Sequence, residues 1–166
     1  LVVNGSLTVK PKELTVSVTS TKTKTYDGNT ALPSLTFGLT TPFAADLVEV
    51  TGTGNYASKD VGTTNYTVDG LTLTGTDAAN YYVQGGASAS ITGTDGAINK
   101  ATITVTPRQG QSKLFGTSDP TLTYDYNGEA NGETPGFTGS LTRSAGESNG
   151  AYAISAGTLA LTDNSA

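Results

Sequence analysis

The sequence predicts an all-β protein in which one sandwich-like unit is written about twice. Three observations carry that expectation. First, apolar and polar residues alternate in short runs, as in Leu14-Thr15-Val16-Ser17-Val18-Thr19, the pattern of a strand with one buried face. Second, turn signals such as Asn4-Gly5, Asp27-Gly28, Asp69-Gly70 and Asp95-Gly96 punctuate the runs. Short strands broken by turns every 8–12 residues or so are the mark of a β-sandwich. Third, the run at Leu14 returns at Ile103, and the turn Lys24-Thr25-Tyr26-Asp27-Gly28 returns at Lys113-Leu114-Phe115-Gly116. Both lie 89 positions on (103 − 14 and 113 − 24).

Composition agrees and narrows the function. Of 166 residues, 35% are hydrophobic and only 14% charged. The polar remainder is mostly Thr, Ser, Gly and Asn, which suits strands with a wet outer face and not a charged disordered tail. Modules of this size bury about 60% of their unfolded surface, so each is a modest domain. Net charge is −5, and the nine Lys and Arg are scattered singly. Nucleic-acid binding needs clustered cations to displace counterions, so that class is excluded. No apolar run approaches the ~20 residues of a membrane helix, and no membrane insertion is expected. Leu1 shows no basic leader and no lipid-anchor motif, so the chain reads as a piece cut from a longer protein. There is no Cys, Met, His or Trp. Without Cys and His, most zinc, iron and copper sites and all Ser-His and Cys-His nucleophile pairs fall away. The absence of Cys also fits an exported protein that crosses membranes unfolded.

In chain order, Leu1 to Val9 reads as a hairpin around Asn4-Gly5, and Pro11 ends it. Leu14 to Thr19 is a strand, and Thr21 to Thr25 an exposed segment leading into Tyr26-Asp27-Gly28. Leu35 and Phe37 begin a second strand. Phe43 to Leu47 alone has helical flavour, and a turn or one short helical piece is expected there. Leu47 to Val50, Asn65 to Val68, Leu71 to Leu73 and Tyr81 to Val83 are further strands. Gly85 to Thr92 reads as a long hairpin, and Asn99-Lys100 as the joint between modules. After it come Ile103 to Thr106, Leu122 to Tyr126, Phe137, Leu141, Tyr152 to Ile154 and Leu159 to Leu161. The second module lacks a final hairpin like the first module's, while Leu1 to Val9 looks like a hairpin left from a preceding module. That segment is expected to cover a bare sheet edge, in this chain or on a neighbouring molecule.

The residues Lys24-Thr25-Tyr26-Asp27-Gly28, with Thr74-Gly75-Thr76-Asp77-Ala78-Ala79-Asn80-Tyr81 downstream, resemble the YDG repeat of large bacterial surface adhesins. The second module resembles the MBG repeat of the same proteins. The matching residues are Ser112-Lys113-Leu114-Phe115-Gly116, Asp119-Pro120-Thr121-Leu122, Phe137-Thr138-Gly139-Ser140-Leu141 and Asn149-Gly150-Ala151-Tyr152-Ala153-Ile154. Phe115 stands where that repeat commonly has Tyr. The resemblance implies residues 1–10 as tail strands of a preceding repeat, 11–99 as a YDG-like module and 100–166 as a truncated MBG-like module, both Ig-like β-sandwiches. It implies a secreted or cell-surface adhesin of the filamentous-haemagglutinin or biofilm-matrix type, with these repeats in its shaft and neighbouring repeats as partners. Lys24, Tyr26, Asp27, Gly28, Asn80, Tyr81, Lys113, Phe115, Gly116 and Tyr152 are the motif residues, in a structural role.

Blander and sharper readings of the same residues compete. Tyr26 and Phe115 are expected to pack at a sandwich corner beside their turns rather than bind a ligand. Tyr56, Tyr66, Tyr81, Tyr82, Tyr124, Tyr126 and Tyr152 are expected half-buried with wet hydroxyls; the alternative is a platform stacking an exopolysaccharide or host glycan. Tyr81 and Tyr82 must face opposite ways. Asp27, Asp46, Asp60, Asp69, Asp77 and Asp95 lack the dense spacing of a calcium loop, and turns explain most of them. Calcium is the one cofactor still open, at a module junction. Glu49, Glu129, Glu133 and Glu147 read as isolated, solvated acids, which leaves no carboxylate pair for glycoside hydrolysis. Lys24, Lys100 or Lys113 with Asn80 would be the residues of an isopeptide bond. The expected function is therefore a structural repeat and not an enzyme, with a carbohydrate-binding module as the alternative.

Overall fold

The structure, a computed structural model, describes residues 4–40, 42–43 and 45–162. Among them all regular structure is β apart from two single 3-10 turns, Ala78–Asn80 and Gly86–Ser88. The strands form short ladders of two or three members with no closed barrel. The chain divides into two compact units. One runs through Thr25 and from Asn29 to Asn99; the other comprises Tyr26–Gly28 and the chain from Lys100 onward.

The first unit holds strands β1 (Lys12–Leu14), β2 (Val16–Val18), β3 (Thr23–Thr25), β4 (Phe37–Leu39) and β5 (Glu49–Tyr56). It continues with β6 (Tyr66–Thr74), β7 (Tyr81–Val83), β8 (Ile91–Gly93) and β9 (Ala97–Asn99). The order β5-β6-β8 makes an antiparallel sheet, and β2 pairs antiparallel with β4. Two pairs are parallel: β1 with β7, and β3 with β9. Period-two alternation decides which side chains face in. Tyr81 and Val83 are buried while Tyr82 between them is 44% exposed, because successive side chains leave opposite faces of a strand. Leu14, Val68 and Ile98 are sealed from solvent and anchor the core, with Tyr56, Tyr66, Leu71, Tyr81 and Val83 around them. Tyr66 crosses over Gly93, where a Cβ would come within 2.3 Å of the ring. Only glycine admits that approach.

The second unit holds β10 (Thr104–Pro107), β11 (Tyr124–Asn127), β12 (Phe137–Thr138), β13 (Thr142–Arg143), β14 (Ile154–Ser155) and β15 (Ala160–Leu161). All its pairs are antiparallel: β10 with β11, β12 with β15, β13 with β14. Phe137 takes Tyr124 edge-on at 5.4 Å and Tyr126 tilted at 5.2 Å between ring centroids. Leu141 is the one buried hydrophobic residue among the described residues of this unit.

Several expectations are corrected. Residues 4–11 form no strand, and Leu7 and Val9 are 92% and 88% exposed. The expected hairpin and its cover over an edge are therefore absent there, and Leu1 to Val3 lie outside the described residues. Three residues of alternation supply too little apolar area to offset the cost of ordering the backbone. Gly85 to Thr92 is not a hairpin. A 3-10 turn delivers the chain to β8, which pairs with β6. Between Phe43 and Leu47 a turn closes from Asp46 N–H to Phe43 carbonyl at 2.9 Å, and residue 44 lies outside the described residues.

Leu14→Ala should cost the first unit about 3 kcal/mol, the usual scale for emptying a sealed aliphatic site. Leu7→Ala should change stability by no more than about 0.5 kcal/mol. Urea unfolding followed by circular dichroism checks both.

Candidate functional site

The repeated turn is where the motif residues gather, and in each unit a lysine closes it. Lys24 sits mid-strand in β3 and turns its ammonium back over the chain. It donates to the Asn29 carbonyl at 2.8 Å, to Asn29 Oδ1 at 3.0 Å and to the Ala31 carbonyl at 3.0 Å. The same cation stands 5.5 Å from the centre of the Tyr56 ring. Three acceptors match the three N–H bonds of an ammonium. Lys113 does the same job one repeat on, donating to the Thr117 carbonyl at 3.0 Å. Gly28 and Gly116 give both turns their left-handed residue, with φ of 76° and 79°, a conformation that costs glycine little.

Around Lys113 the second unit builds a network that single-residue reading of the sequence does not show. Its ammonium lies 2.8 Å from Asp119 and 2.7 Å from Glu147. Arg143 grips Asp119 with two nitrogens, Nε at 3.0 Å and Nη2 at 2.9 Å, the forked geometry guanidinium favours. Arg143 Nη2 also reaches Glu147 at 2.6 Å, and Nη1 donates to the Ser144 and Gly146 carbonyls at 3.0 and 2.5 Å. The Tyr152 ring lies under the guanidinium at 5.0 Å, and its hydroxyl donates to the Ser148 carbonyl at 2.7 Å. Arg143 first and then Lys113 pull the Asp119 carboxyl from 3.8 to about 2. Lys113 first and then Arg143 lower Glu147. Two cations alternating with two anions cancel locally, so the cluster ties the turn at residues 113–119 to the loop at 144–148.

In the first unit the tyrosine hydroxyls do similar work. Tyr56 donates to the Lys22 carbonyl at 2.7 Å. Tyr66 donates to Asp95 at 2.9 Å, and Lys22 meets the other Asp95 oxygen at 3.1 Å. Burial chiefly, and then Asp95, raises the Tyr66 phenol. Tyr81 donates to Asp46 at 2.5 Å and accepts the Phe43 N–H at 3.0 Å; the bond to Asp46 is the main cause of its raised pKa. These rings are buried with protein-bonded hydroxyls, not half-buried and wet as expected. A phenol leaving water needs a partner, and the turn carboxylates supply it.

Other motif residues lie apart from these clusters. Phe115 is 81% exposed and its neighbour Leu114 77%, so the expected corner packing is overturned. A phenyl ring has no hydroxyl to tie it down. Tyr26 groups with the second unit, where its hydroxyl donates to the Glu133 carboxylate, 2.8 and 2.7 Å from the two oxygens. Glu133 and Glu147 are therefore bonded rather than isolated. Asp27 and Asn80 are exposed, Asn80 ending a 3-10 turn. Asp77 Oδ2 accepts the Leu47 N–H at 2.9 Å, a turn role. Among the described residues no three metal-binding side chains gather at one point, and no helix is long and apolar enough to cross a membrane.

Comparison with known families gives two matches. Residues 10–93 match the model described as the YDG domain, and residues 103–164 match the MBG domain (YGX type). Domains of these kinds occur in large bacterial adhesin-like proteins and are repeat types rather than enzyme families. No curated protein and no solved structure matches the chain.

The depressed carboxyls make the second unit acid-sensitive with a definite sign. A lowered folded pKa contributes stability that is present above the unfolded value and lost as pH falls through the folded value. Thermal melts should show this unit weakening as pH drops from the ordinary carboxylate values of 4.5 and 3.8 toward about 2. Arg143→Met should lower the melting temperature at neutral pH and flatten that acid slope. An unchanged slope in the variant would remove the network from the account.

Proposed function

We propose, from the premise that this chain belongs to the YDG domain family, that it supplies load-bearing β-sandwich repeats to the shaft of a surface adhesin-like bacterial protein. Secretion or cell-surface display and partnership with neighbouring repeats of the same chain follow from that role. The observation that carries it is the parallel pairing of β3 with β9, Thr23↔Ala97, Lys24↔Ile98 and Thr25↔Asn99. β9 is the last strand of the first unit and β3 lies near its start. Because the two run parallel, pulling the unit's ends apart drags them in opposite directions along their length. All their hydrogen bonds are then loaded together in shear, whereas an antiparallel pair of terminal strands would peel one bond at a time. The β1–β7 pair is parallel as well. Ile98, at the middle of β9, is 2% exposed and pins the pair to the core. The motif's polar atoms support this reading too: Lys24, Tyr81, Lys113 and Tyr152 all bond within their own units.

A carbohydrate-binding role is the second reading, and the exposed Leu114-Phe115 pair favours it. An aromatic face in solvent at a turn is the form a sugar-stacking residue takes.

Single-molecule pulling on the chain's two ends tests the first reading. The first unit should give a discrete force peak, and Lys24→Pro, which removes a ladder donor at the clamp, should lower it. Extension with no resolvable peak would sink the load-bearing role. A panel of immobilised glycans and exopolysaccharides, with and without calcium, tests the second. Silence is expected; saturable binding abolished by Phe115→Ala would put carbohydrate recognition in its place.

A further inference from the structure

The chain contains four Asn-Gly dipeptides, at 4–5, 127–128, 131–132 and 149–150. In such a pair the asparagine amide carbon lies within reach of the next backbone nitrogen, and glycine has no side chain to shield that nitrogen. The structure separates the three pairs of the second unit by what holds the reacting groups. Asn127 ends the β10–β11 ladder opposite Thr104, and a Cβ on Gly128 would stand 2.2 Å from the Thr102 carbonyl oxygen. The backbone there is paired and crowded. Asn131 and Gly132 form the middle of a turn closed from Glu133 N–H to the Ala130 carbonyl at 2.9 Å, with φ of 49° and 71°. Two successive positive φ values are what a type I′ turn requires, so this backbone is held too. Asn149 and Gly150 are both exposed, in the loop after β13. Among the described residues neither the Asn149 side chain nor the Gly150 N–H makes a hydrogen bond. Apart from its chain neighbours, a Cβ on Gly150 would meet only the Ser148 carbonyl oxygen, at 4.0 Å. Yet this loose pair adjoins fixed points. Glu147 meets Lys113 at 2.7 Å and Arg143 at 2.6 Å, and the Tyr152 hydroxyl donates to the Ser148 carbonyl at 2.7 Å.

We propose that Asn149-Gly150 is a self-modifying site, whose conversion to isoaspartate slackens the loop that the Lys113 and Arg143 network holds. Asparagine is a chemically labile residue, and here nothing restrains the two groups that react. Hydroxide takes the proton of the Gly150 N–H, and the nitrogen attacks Asn149 Cγ. The N–Cγ bond forms, the Cγ–Nδ2 bond breaks, and Nδ2 leaves as ammonia after taking a proton from water, which restores the hydroxide. One water then opens the cyclic imide. Opening at Cγ gives aspartate. Opening at the main-chain carbonyl gives isoaspartate, in which the main chain runs through Cβ and Cγ and is one carbon longer. Nothing is oxidised or reduced, and water is the only co-reactant. The longer main chain falls inside the stretch that the Tyr152–Ser148 bond spans. That bond and the Arg143 contacts to the Ser144 and Gly146 carbonyls were fitted to the shorter path. The site lies in the second unit alone and does not depend on the load-bearing reading.

The whole chain is held in warm, mildly alkaline buffer and sampled by peptide mass spectrometry, which reads the mass gained when an amide becomes an acid. Methylation by an isoaspartyl methyltransferase reads the isoaspartate share. Asn149 should convert at least about tenfold faster than Asn127 and Asn131, because those pairs must first give up a hydrogen bond and a restrained backbone. In concentrated urea the three rates should converge. Equal rates in the folded chain, a difference that persists in urea, or an Asn149 that stays intact would each overturn the proposal. Chains with isoaspartate at 149 should show a lower melting temperature for the second unit than fresh chains. Asn149→Gln, whose longer side chain closes the imide poorly, should keep its melting temperature through the same incubation. Identical melting of converted and fresh chains would cut the link between the modification and the network.

Discussion

The parallel contact between β3 and β9 is the interaction the first unit depends on. It joins residues more than seventy positions apart (23 to 97), so it closes the domain at the cost of ordering a long loop. Ile98 at its centre has almost no solvent contact, and the turn that follows β3 is held by Lys24. Tyr56 reaches the same place from β5, its hydroxyl on the Lys22 carbonyl. Of these bonds the Tyr56 hydroxyl's is part-buried, and a partner lost there is more costly than one lost in open solvent. β3 and β9 are thus knit to each other and, through Tyr56, to β5.

The second unit is held differently. With one buried hydrophobic residue among those described, it relies on aromatic contacts at Phe137 and on the Lys113, Arg143, Asp119 and Glu147 network. Its carboxylates are about half exposed, so each bond is individually weak and screened by salt. Their connection into one cluster, with Arg143 largely covered and stacked on Tyr152, is what makes them count. The two halves of one repeated pattern thus use different means for the same purpose. Both anchor the turn that carries the motif lysine.

Much of the fold is legible in the residues. The alternation of Leu14, Val16 and Val18, the Asp-Gly turns and the 89-residue repeat lead directly to an all-β chain of two related units. The motif lysines are legible too, because Lys24 and Lys113 occupy the same place in the repeat. Arg143 is not, since a lone arginine in a loop carries no local sign that Asp119, twenty-four positions back, will meet it. Arg143 and Glu147 are four apart, but outside a helix that spacing predicts no contact. Phe115 misleads for the opposite reason. Its position in the repeat suggests the environment of Tyr26, but the hydroxyl that anchors Tyr26 is missing from it.

What the sequence by itself determined is what depends on neighbours along the chain: the period of two, the turns, the low charge, and the absence of the side chains that most metal and nucleophile chemistry needs. Tertiary structure decided which strands pair and in what direction, which tyrosine hydroxyls find carboxylates, and which apolar stretches are covered. Leu7 and Val9 belong to a run as strand-like as that of Leu14, yet among the described residues Leu14 has a partner strand laid along it and they have none. A strand's alternation records that one face wants cover. The partner that provides it lies far along the chain, and no local pattern encodes that choice.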